Sequence, residues 1–411
     1  MSQQDGPQRI EVRKTILGPS PVRARTVRPR AIGDYPRVPQ VYRDVAEVYA
    51  SPVLMGPPIC DELMTLVQHL YTEEEAAAVR HLGILSWRTA RQVARAERRG
   101  EEEIEPVLQR LAVEKRAIAS SSSRPAWRYK LLPLLPGVFE MVLISESAET
   151  ISPWHHRLAR LFEALYETGY LADYMRPGAT PAVRYLPVGK AIAAHPMALP
   201  SDRLEVLLDR FDTFGVGQCQ CRTSALAAGK GCDAPRQNCT VMGQWAERGI
   251  DAGWLKPVSR QNVLDIKREA ESHGLVTWMM NVDSTDGQCS CSCCGCCCKA
   301  LRVVNEFNLP NTFAPPHFLP RFALDKCTRC GRCAVKCPMG AITVDVAAKT
   351  HAWRAERCIG CGLCAVACDR QQAVAMEPVP DYKLPYRSWM SFLLRAAPGM
   401  ARTAWSVWRQ R

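Results

Sequence analysis

The sequence has no run of 18 apolar residues, the length expected of a membrane-spanning helix. Its longest candidate, Leu131 to Ile144, is interrupted by Pro133, Pro136 and Glu140. A phosphate-cradling G-x-x-x-x-G-K-[ST] loop is absent, and Gly215-Val-Gly217 is too short for a dinucleotide turn. No flavin fingerprint or Ser/His/Asp arrangement stands out. The opening Met-Ser-Gln-Gln-Asp has no apolar stretch to serve as a secretory signal, and Arg98-Arg99 is internal with no apolar run behind it. A reducing, cytoplasmic setting is therefore expected.

Cysteine, in contrast, is abundant: 20 of 411 residues, nineteen of them between Cys219 and Cys368. Such clustering points to local metal binding and not to a chain stapled throughout. Two combs lie near the C-terminus. The first is Cys327-x2-Cys330-x2-Cys333-x3-Cys337, followed by Pro338; the second is Cys358-x2-Cys361-x2-Cys364-x3-Cys368, followed by Asp369. Triplets within seven residues suit a loop wrapped around a cube-shaped cluster better than the separated ligand pairs of zinc sites, and disulfides need an oxidising compartment. The spacing resembles the two-cluster [4Fe–4S] bacterial-type ferredoxins, in which three cysteines hold one cluster and the fourth reaches the other. That resemblance implies one [4Fe–4S] cluster on Cys327, Cys330, Cys333 and Cys368, and another on Cys358, Cys361, Cys364 and Cys337. The second comb departs from it in having Asp369 where proline is usual.

Eleven further cysteines form two groups. The first is Cys219-Gln-Cys221-Arg222, Gly229-Lys-Gly-Cys232 and Cys239; the second contains Cys289, Cys291, Cys293, Cys294, Cys296, Cys297 and Cys298. Cys219, Cys221, Cys232 and Cys239 could hold a third cluster or a zinc ion, since four thiolates suit either. On an extended segment Cys289, Cys291 and Cys293 share one face, with Cys294, Cys296 and Cys298 on the other. A joint site drawing ligands from both groups is the preferred expectation, with at least two of the seven left as free thiols. The order of motifs resembles iron–sulfur proteins of anaerobic bacteria in which a winged-helix-like region and a C-x-C-R…G-K-G-C…C segment precede a C-C-G-C-C-C run and a two-cluster ferredoxin. This implies additional metal ligation and redox work. Cys293-Cys294-Gly295 is also similar to the C-C-G module of heterodisulfide reductases, but no cysteine lies between Cys239 and Cys289 to complete it. Lone Cys60 reads as a buried thiol.

Upstream, Thr72-Glu-Glu-Glu75 is a capping box opening a helix. Ser86 is expected to cap a second helix, and a third spans about 102–116 with Ile104, Val107, Leu108, Leu111 and Val113 on one face. Strand-like Trp127-Arg-Tyr-Lys-Leu-Leu follows. Three helices and a hairpin resemble the winged-helix fold. The third helix opens with Glu101, Glu102, Glu103 and Glu105, which repel a polyanion, so DNA is not the expected partner, although Arg124, Arg128 and Lys130 lie in the wing.

The fold class is α+β multidomain: a basic Pro-rich extended arm (1–58), a winged-helix-like domain (59–150), a helical connector (151–215), a cysteine-rich metal-binding region (216–300), a ferredoxin-like two-cluster domain (301–378) and a basic, Trp-rich amphipathic tail (379–411). The formal net charge is +12. Part of it sits in the arm, at Arg9, Arg13, Lys14, Arg23, Arg25, Arg28, Arg30, Arg37 and Arg43. More sits in the tail and in the first comb, at Lys326, Arg329, Arg332 and Lys336. Those cations fit a redox partner with an acidic docking surface. In the tail, Trp389, Phe392, Leu393 and Ala396 make one stripe, and a second helical piece after Pro398-Gly399 carries Trp405 and Trp408. This suits a partner groove, the inner face of a membrane, or the chain's own ferredoxin domain. The expected function is an electron carrier or redox subunit relaying single electrons through two [4Fe–4S] clusters to or from a partner oxidoreductase. The alternatives are a reductase with a substrate-facing cluster in the Cys219–Cys298 region and a redox-sensing DNA-binding regulator.

Overall fold

The computed structural model describes residues 10–12, 16–18, 22–121, 127–147, 149–175, 180–309 and 312–409. Arg9, Arg13, Lys14 and Arg124 lie outside them. The fold is α+β, and the chain divides into two compact units: residues 25–174 with 400–411, and residues 1–24 with 175–399. The expected connector is shared, the helix Pro153–Glu167 falling in one unit and the strand Val183–Tyr185 in the other.

In the first unit the arm is not extended throughout. Residues Gln40–Tyr49 form a helix burying Tyr42, Val45, Ala46 and Tyr49, an i, i+3, i+4, i+7 pattern that outweighs the surrounding prolines. Arg25 and Arg30 pair with Asp173 and Asp61 of the same chain. The helix Glu73–Val79 opens at Thr72 with the expected reciprocal capping box. The next helix, Ala90–Glu97, is capped by Thr89 and not Ser86, because Arg88 and Thr89 are drawn into a short strand. Glu101–Gln109 continues as a wider turn through Glu114. The strands Arg88–Thr89, Ile118–Ser121 and Arg128–Leu131 form an antiparallel sheet with Arg128–Leu131 in the middle.

The second unit is built on a six-stranded antiparallel sheet, ordered Val183–Tyr185, Val276–Met280, Gly287–Cys293, Cys239–Gly243, Phe214–Gly217, Lys256–Val258. One face carries Phe214, Met242 and Met279 against Val263 and Leu264 of the helix Arg260–Ser272. The other carries Val276, Trp278, Cys291 and Cys293 against Leu301 and Val304 of the helix Lys299–Phe307, and against Met339, Cys361 and Leu363 of the comb region. The cysteine-rich strand and the second comb thus share one apolar core.

The comb region has an outer strand pair, Phe318–Phe322 with Val374–Pro378, and a hairpin, Ile342–Asp345 with Thr350–Trp353. A feature absent from the sequence reading extends that hairpin: Ile10–Val12 and Ile16–Gly18 pair with each other, and the latter adds to Ile342–Asp345. The tail is one helix, Trp389–Trp408, running through Pro398-Gly399 where two pieces are expected. Pro398 lacks an N–H, and the turn it interrupts begins at exposed Leu394, where water can take the freed carbonyl. Phe392 and Ala396 pack with Trp389 against Val282, while Leu393 is exposed. Among the described residues no helix is long and apolar enough to cross a membrane.

Candidate metal centres

Each comb wraps one hollow and lends its last cysteine to the other. Cys327, Cys330, Cys333 and Cys368 line one hollow together with Phe322, Arg329 and His351. Cys358, Cys361, Cys364 and Cys337 line a second, with Met339, Ile342 and Trp353. The backbone makes this exchange possible twice over. After the second cysteine of each comb, Gly331 and Gly362 take positive φ, 78° and 75°, and turn the chain into the helices Arg332–Lys336 and Leu363–Ala367. The fourth cysteine then lies at the far end of a short helix, facing away from its own loop.

The hollows differ in setting. Cys330 is exposed, whereas Cys361 and Cys364 are buried. Backbone N–H groups of Arg329, Gly360 and Ala341 point at the sulfurs of Cys327, Cys358 and Cys337, 3.3–3.5 Å away. Such donors stabilise a thiolate and the anionic cluster it holds. Burial pushes the Cys333 thiol up to about 11 and Cys358 to about 12. Metal binding would take the proton from these two thiols. Beside the second hollow, the buried Arg357 guanidinium donates to Met339 O (3.1 Å) and Asn308 Oδ1 (2.8 Å), and burial lowers its pKa. His351, for which the sequence carried no signal, reaches the first hollow from the hairpin, its Nε2 3.9 Å from Cys333 Sγ.

The middle cysteines separate into two sets that cut across the sequence groups. Strand alternation puts Cys289, Cys291 and Cys293 on one face of Gly287–Cys293 and Ser290 and Ser292 on the other. There the buried Lys267 ammonium donates to Ser290 O (2.9 Å) and Ser292 Oγ (3.2 Å), its pKa lowered to about 8 by burial. Cys239 lies beside Cys291, whose thiol is pushed well up, first by their mutual hydrogen bond and then by burial. Cys298 neighbours Cys221 and Cys293. Burial raises Cys219 to about 12.

The second set is Cys232 with Cys294, Cys296 and Cys297, whose sulfurs all lie within 4.8 Å of one another. Cys232 of the first group thus meets three cysteines of the second, and not Cys219, Cys221 and Cys239, at single-ion distance. The expected alternation of Cys294, Cys296 and Cys298 also fails, because the strand ends at Cys293 and the chain turns, bringing the adjacent Cys296 and Cys297 to the same point. Arg222, noted only as part of the C-x-C-R motif, is 1% exposed; it donates to Ser292 O (2.8 Å) and Asn238 Oδ1 (2.5 Å) and reaches Cys294 Sγ at 3.8 Å. Cys60 is buried, and burial pushes its thiol up to about 12.

No curated protein and no solved structure matches the chain. Residues 319–369, which span both combs, match the family described as a 4Fe-4S dicluster domain. This segment is an iron–sulfur, ferredoxin-like domain, and its cofactor is iron–sulfur.

Proposed function

We propose that the protein relays single electrons through two [4Fe–4S] clusters to or from a partner oxidoreductase. In this reading Cys327, Cys330, Cys333 and Cys368 hold one cluster, and Cys358, Cys361, Cys364 and Cys337 the other. The observation that carries it is the crossing of the fourth cysteine: each hollow is lined by three thiols of one comb and one of its neighbour. When bound, such clusters accept and return one electron at a time at low potential. The chain's own residues set the conditions. The N–H groups on sulfur stabilise the anionic clusters, the apolar core excludes water from the second, and exposed Lys326, Arg332 and Lys336 offer an acidic partner a docking face near the first.

Two observations weigh against the rivals. All eleven middle cysteines are buried or half-buried, which suits enclosed metal better than a substrate-facing cluster. The first unit has helices and a three-stranded sheet in the chain order on which the winged-helix reading rests. Its third helix, however, opens on Glu101, Glu102 and Glu103, with Glu103 paired to Arg99 at 2.8 Å, a poor surface for a nucleic acid phosphate. A packing or docking role suits that unit better. The exposed Met390, Leu393, Leu394, Trp405 and Trp408 of the tail suit a partner groove or a membrane surface.

The test is the crossing itself. In anaerobically purified protein, Cys368→Ser should alter the electron paramagnetic resonance of the first-comb cluster and leave the second intact, and Cys337→Ser should do the reverse. If each variant instead disturbs the cluster of its own comb, the ligand assignment fails.

A further inference from the structure

We infer that Cys232, Cys294, Cys296 and Cys297 bind a single thiophilic metal ion, zinc or iron, as a tetrahedral tetrathiolate separate from the ferredoxin clusters. The spacing of the sulfurs carries the inference. Cys232 Sγ is 3.9 Å from Cys294 Sγ and 3.7 Å from Cys297 Sγ, and Cys296 Sγ is 3.7 Å from Cys297 Sγ. Four sulfurs at about 2.3 Å from one ion stand about 3.8 Å apart at the edges of a tetrahedron. Disulfides, at about 2.05 Å, are far shorter. A cubane places its four sulfur ligands on four different irons, which spreads them much wider.

The same molecule supplies the contrast. Among the described residues, only the Cys232 set brings three or more metal-ligating side chains within 4.8 Å of one another. The ferredoxin thiols instead ring two hollows without closing to that distance. Among the described residues there are thus two kinds of thiol foursome, one spread around a hollow and one closed to single-ion distance.

The surroundings fit a compact anion. Four thiolates around a dication carry two negative charges, and Arg222 brings a buried guanidinium to Cys294 Sγ. Burying that cation costs several kcal/mol unless an anion faces it. The backbone is built for the same purpose. Cys232 lies in the loop after the helix Gln220–Ala227, and its three partners lie in the turn between Gly287–Cys293 and Lys299–Phe307. One ion therefore ties together segments 62 residues apart.

The site also abuts the second comb's hollow. A Cβ at Gly295 would lie 2.2 Å from Pro338 O, so only glycine lets the turn approach this closely. Asn305 Nδ2 clasps both sides, donating to Gly295 O (3.2 Å) and Pro338 O (2.8 Å). Pro338 follows Cys337, so the ion fixes the turn on which that cysteine leans. This consequence rests on the ligand assignment above; the ion itself does not.

The experiment is metal and sulfide analysis of the full chain purified anaerobically, with X-ray absorption at the zinc edge and Mössbauer spectra of iron-57 protein. One metal per chain beyond the cluster iron is expected, without matching sulfide. It should appear either as zinc with four sulfurs at about 2.3 Å or as an isolated high-spin iron. Cys232→Ser and Cys297→Ser should each lose it while keeping cluster iron and sulfide. Extra iron with an equal amount of sulfide would overturn the inference in favour of a third cluster. So would the absence of any further metal, or its retention in both variants. If the variants do not fold, the wild-type spectra decide alone. A chain holding the ion but no clusters would refute the electron-relay reading and leave this one standing.

Discussion

The first comb lies among solvent and cations, with Cys330 exposed and Lys326, Arg332 and Lys336 around it. The second is folded into an apolar core, where Cys361 and Leu363 pack with Tyr185, Val188 and Met339. Their cysteine spacing is identical, so the difference comes from what each comb packs against. Potential in such clusters follows net charge, hydrogen bonds to sulfur and solvent exposure. Exposure and nearby cations both favour the more negative, reduced state. On these grounds, and on the proposed function, the first-comb cluster is expected to have the higher potential and to be the one a partner reaches. The second is the protected one, buttressed by the middle region.

One backbone position shows how firmly the two settings are fixed. Arg329 and Gly360 each follow the first cysteine of their comb by two residues, and both take positive φ, 54° and 66°. At the first comb the chain tolerates a side chain in this conformation, at a cost of about 1–2 kcal/mol. At the second there is no room, because a Cβ would lie 2.4 Å from Phe318 O and from Pro316 Cβ. The largest expected effect follows. Gly360→Ala should abolish the second cluster, removing about four irons per chain, and lower stability by about 4 kcal/mol or more. Arg329→Gly should keep both clusters and fold normally. Iron counts and thermal melts of the two variants, side by side, check this; a Gly360→Ala protein with full iron would break the comparison.

Next in size is the cation buried beside the second hollow. Arg357 lies beside the second hollow where solvent does not screen it, unlike the exposed Lys326, Arg332 and Lys336 of the first comb. Arg357→Met should lower the second cluster's potential by on the order of 2 kcal/mol, about 90 mV for one electron, and leave the first unchanged. Redox titration followed by electron paramagnetic resonance reads both. A larger shift in the first cluster would mean that the assignment of cations to clusters is reversed.

The sequence announced the iron chemistry and hid its surroundings. The combs were legible because short, regular cysteine spacing reflects a local loop around one object. The Thr72 capping box and the alternation of Cys289, Cys291 and Cys293 were legible for the same reason, since each is a local rule. The meeting of Cys232 with Cys294, Cys296 and Cys297 was visible only as a general joint site. It depends on where a strand stops and a turn begins, and no local period encodes that. Arg222 was visible as a motif letter without a role, and His351, Asn305 and Lys267 gave no signal, because each acts on residues distant in sequence. The helix Gln40–Tyr49 had the right apolar period, but the prolines and arginines around it dominated the reading.

Smaller effects belong to the first comb's charges, of which Arg332 is exposed and Arg329 half-buried. The double variant Arg329→Gln with Arg332→Gln should lower the first cluster's potential by roughly 30 mV at low ionic strength, and by much less near 1 M salt, where the screening length is about 3 Å. It should also slow reduction by an acidic partner while leaving equilibrium iron content alone. If the shift survives high salt, these cations are less hydrated than their exposure implies.

The smallest effect concerns Asp369, the residue that replaces the usual proline at the end of the second comb. Its Oδ1 accepts from the backbone N–H of Arg370 (2.9 Å) and pairs with Arg332 of the first comb at 3.4 Å. The aspartate thus closes the turn by a hydrogen bond that proline could not make, and it offsets one cation of the first comb. Both side chains are largely exposed, so the pair adds little stability. Asp369→Asn keeps an acceptor for the Arg370 N–H but frees the charge of Arg332. The first cluster's potential should therefore rise by roughly 10 mV, with the melting temperature unchanged and the second cluster unaffected. The sign is what matters: it is opposite to that of the arginine variants, and the two together separate charge from disturbance of the loop. A fall in potential, or a loss of iron, would mean that Asp369 serves the backbone turn and not the electrostatics of the first comb.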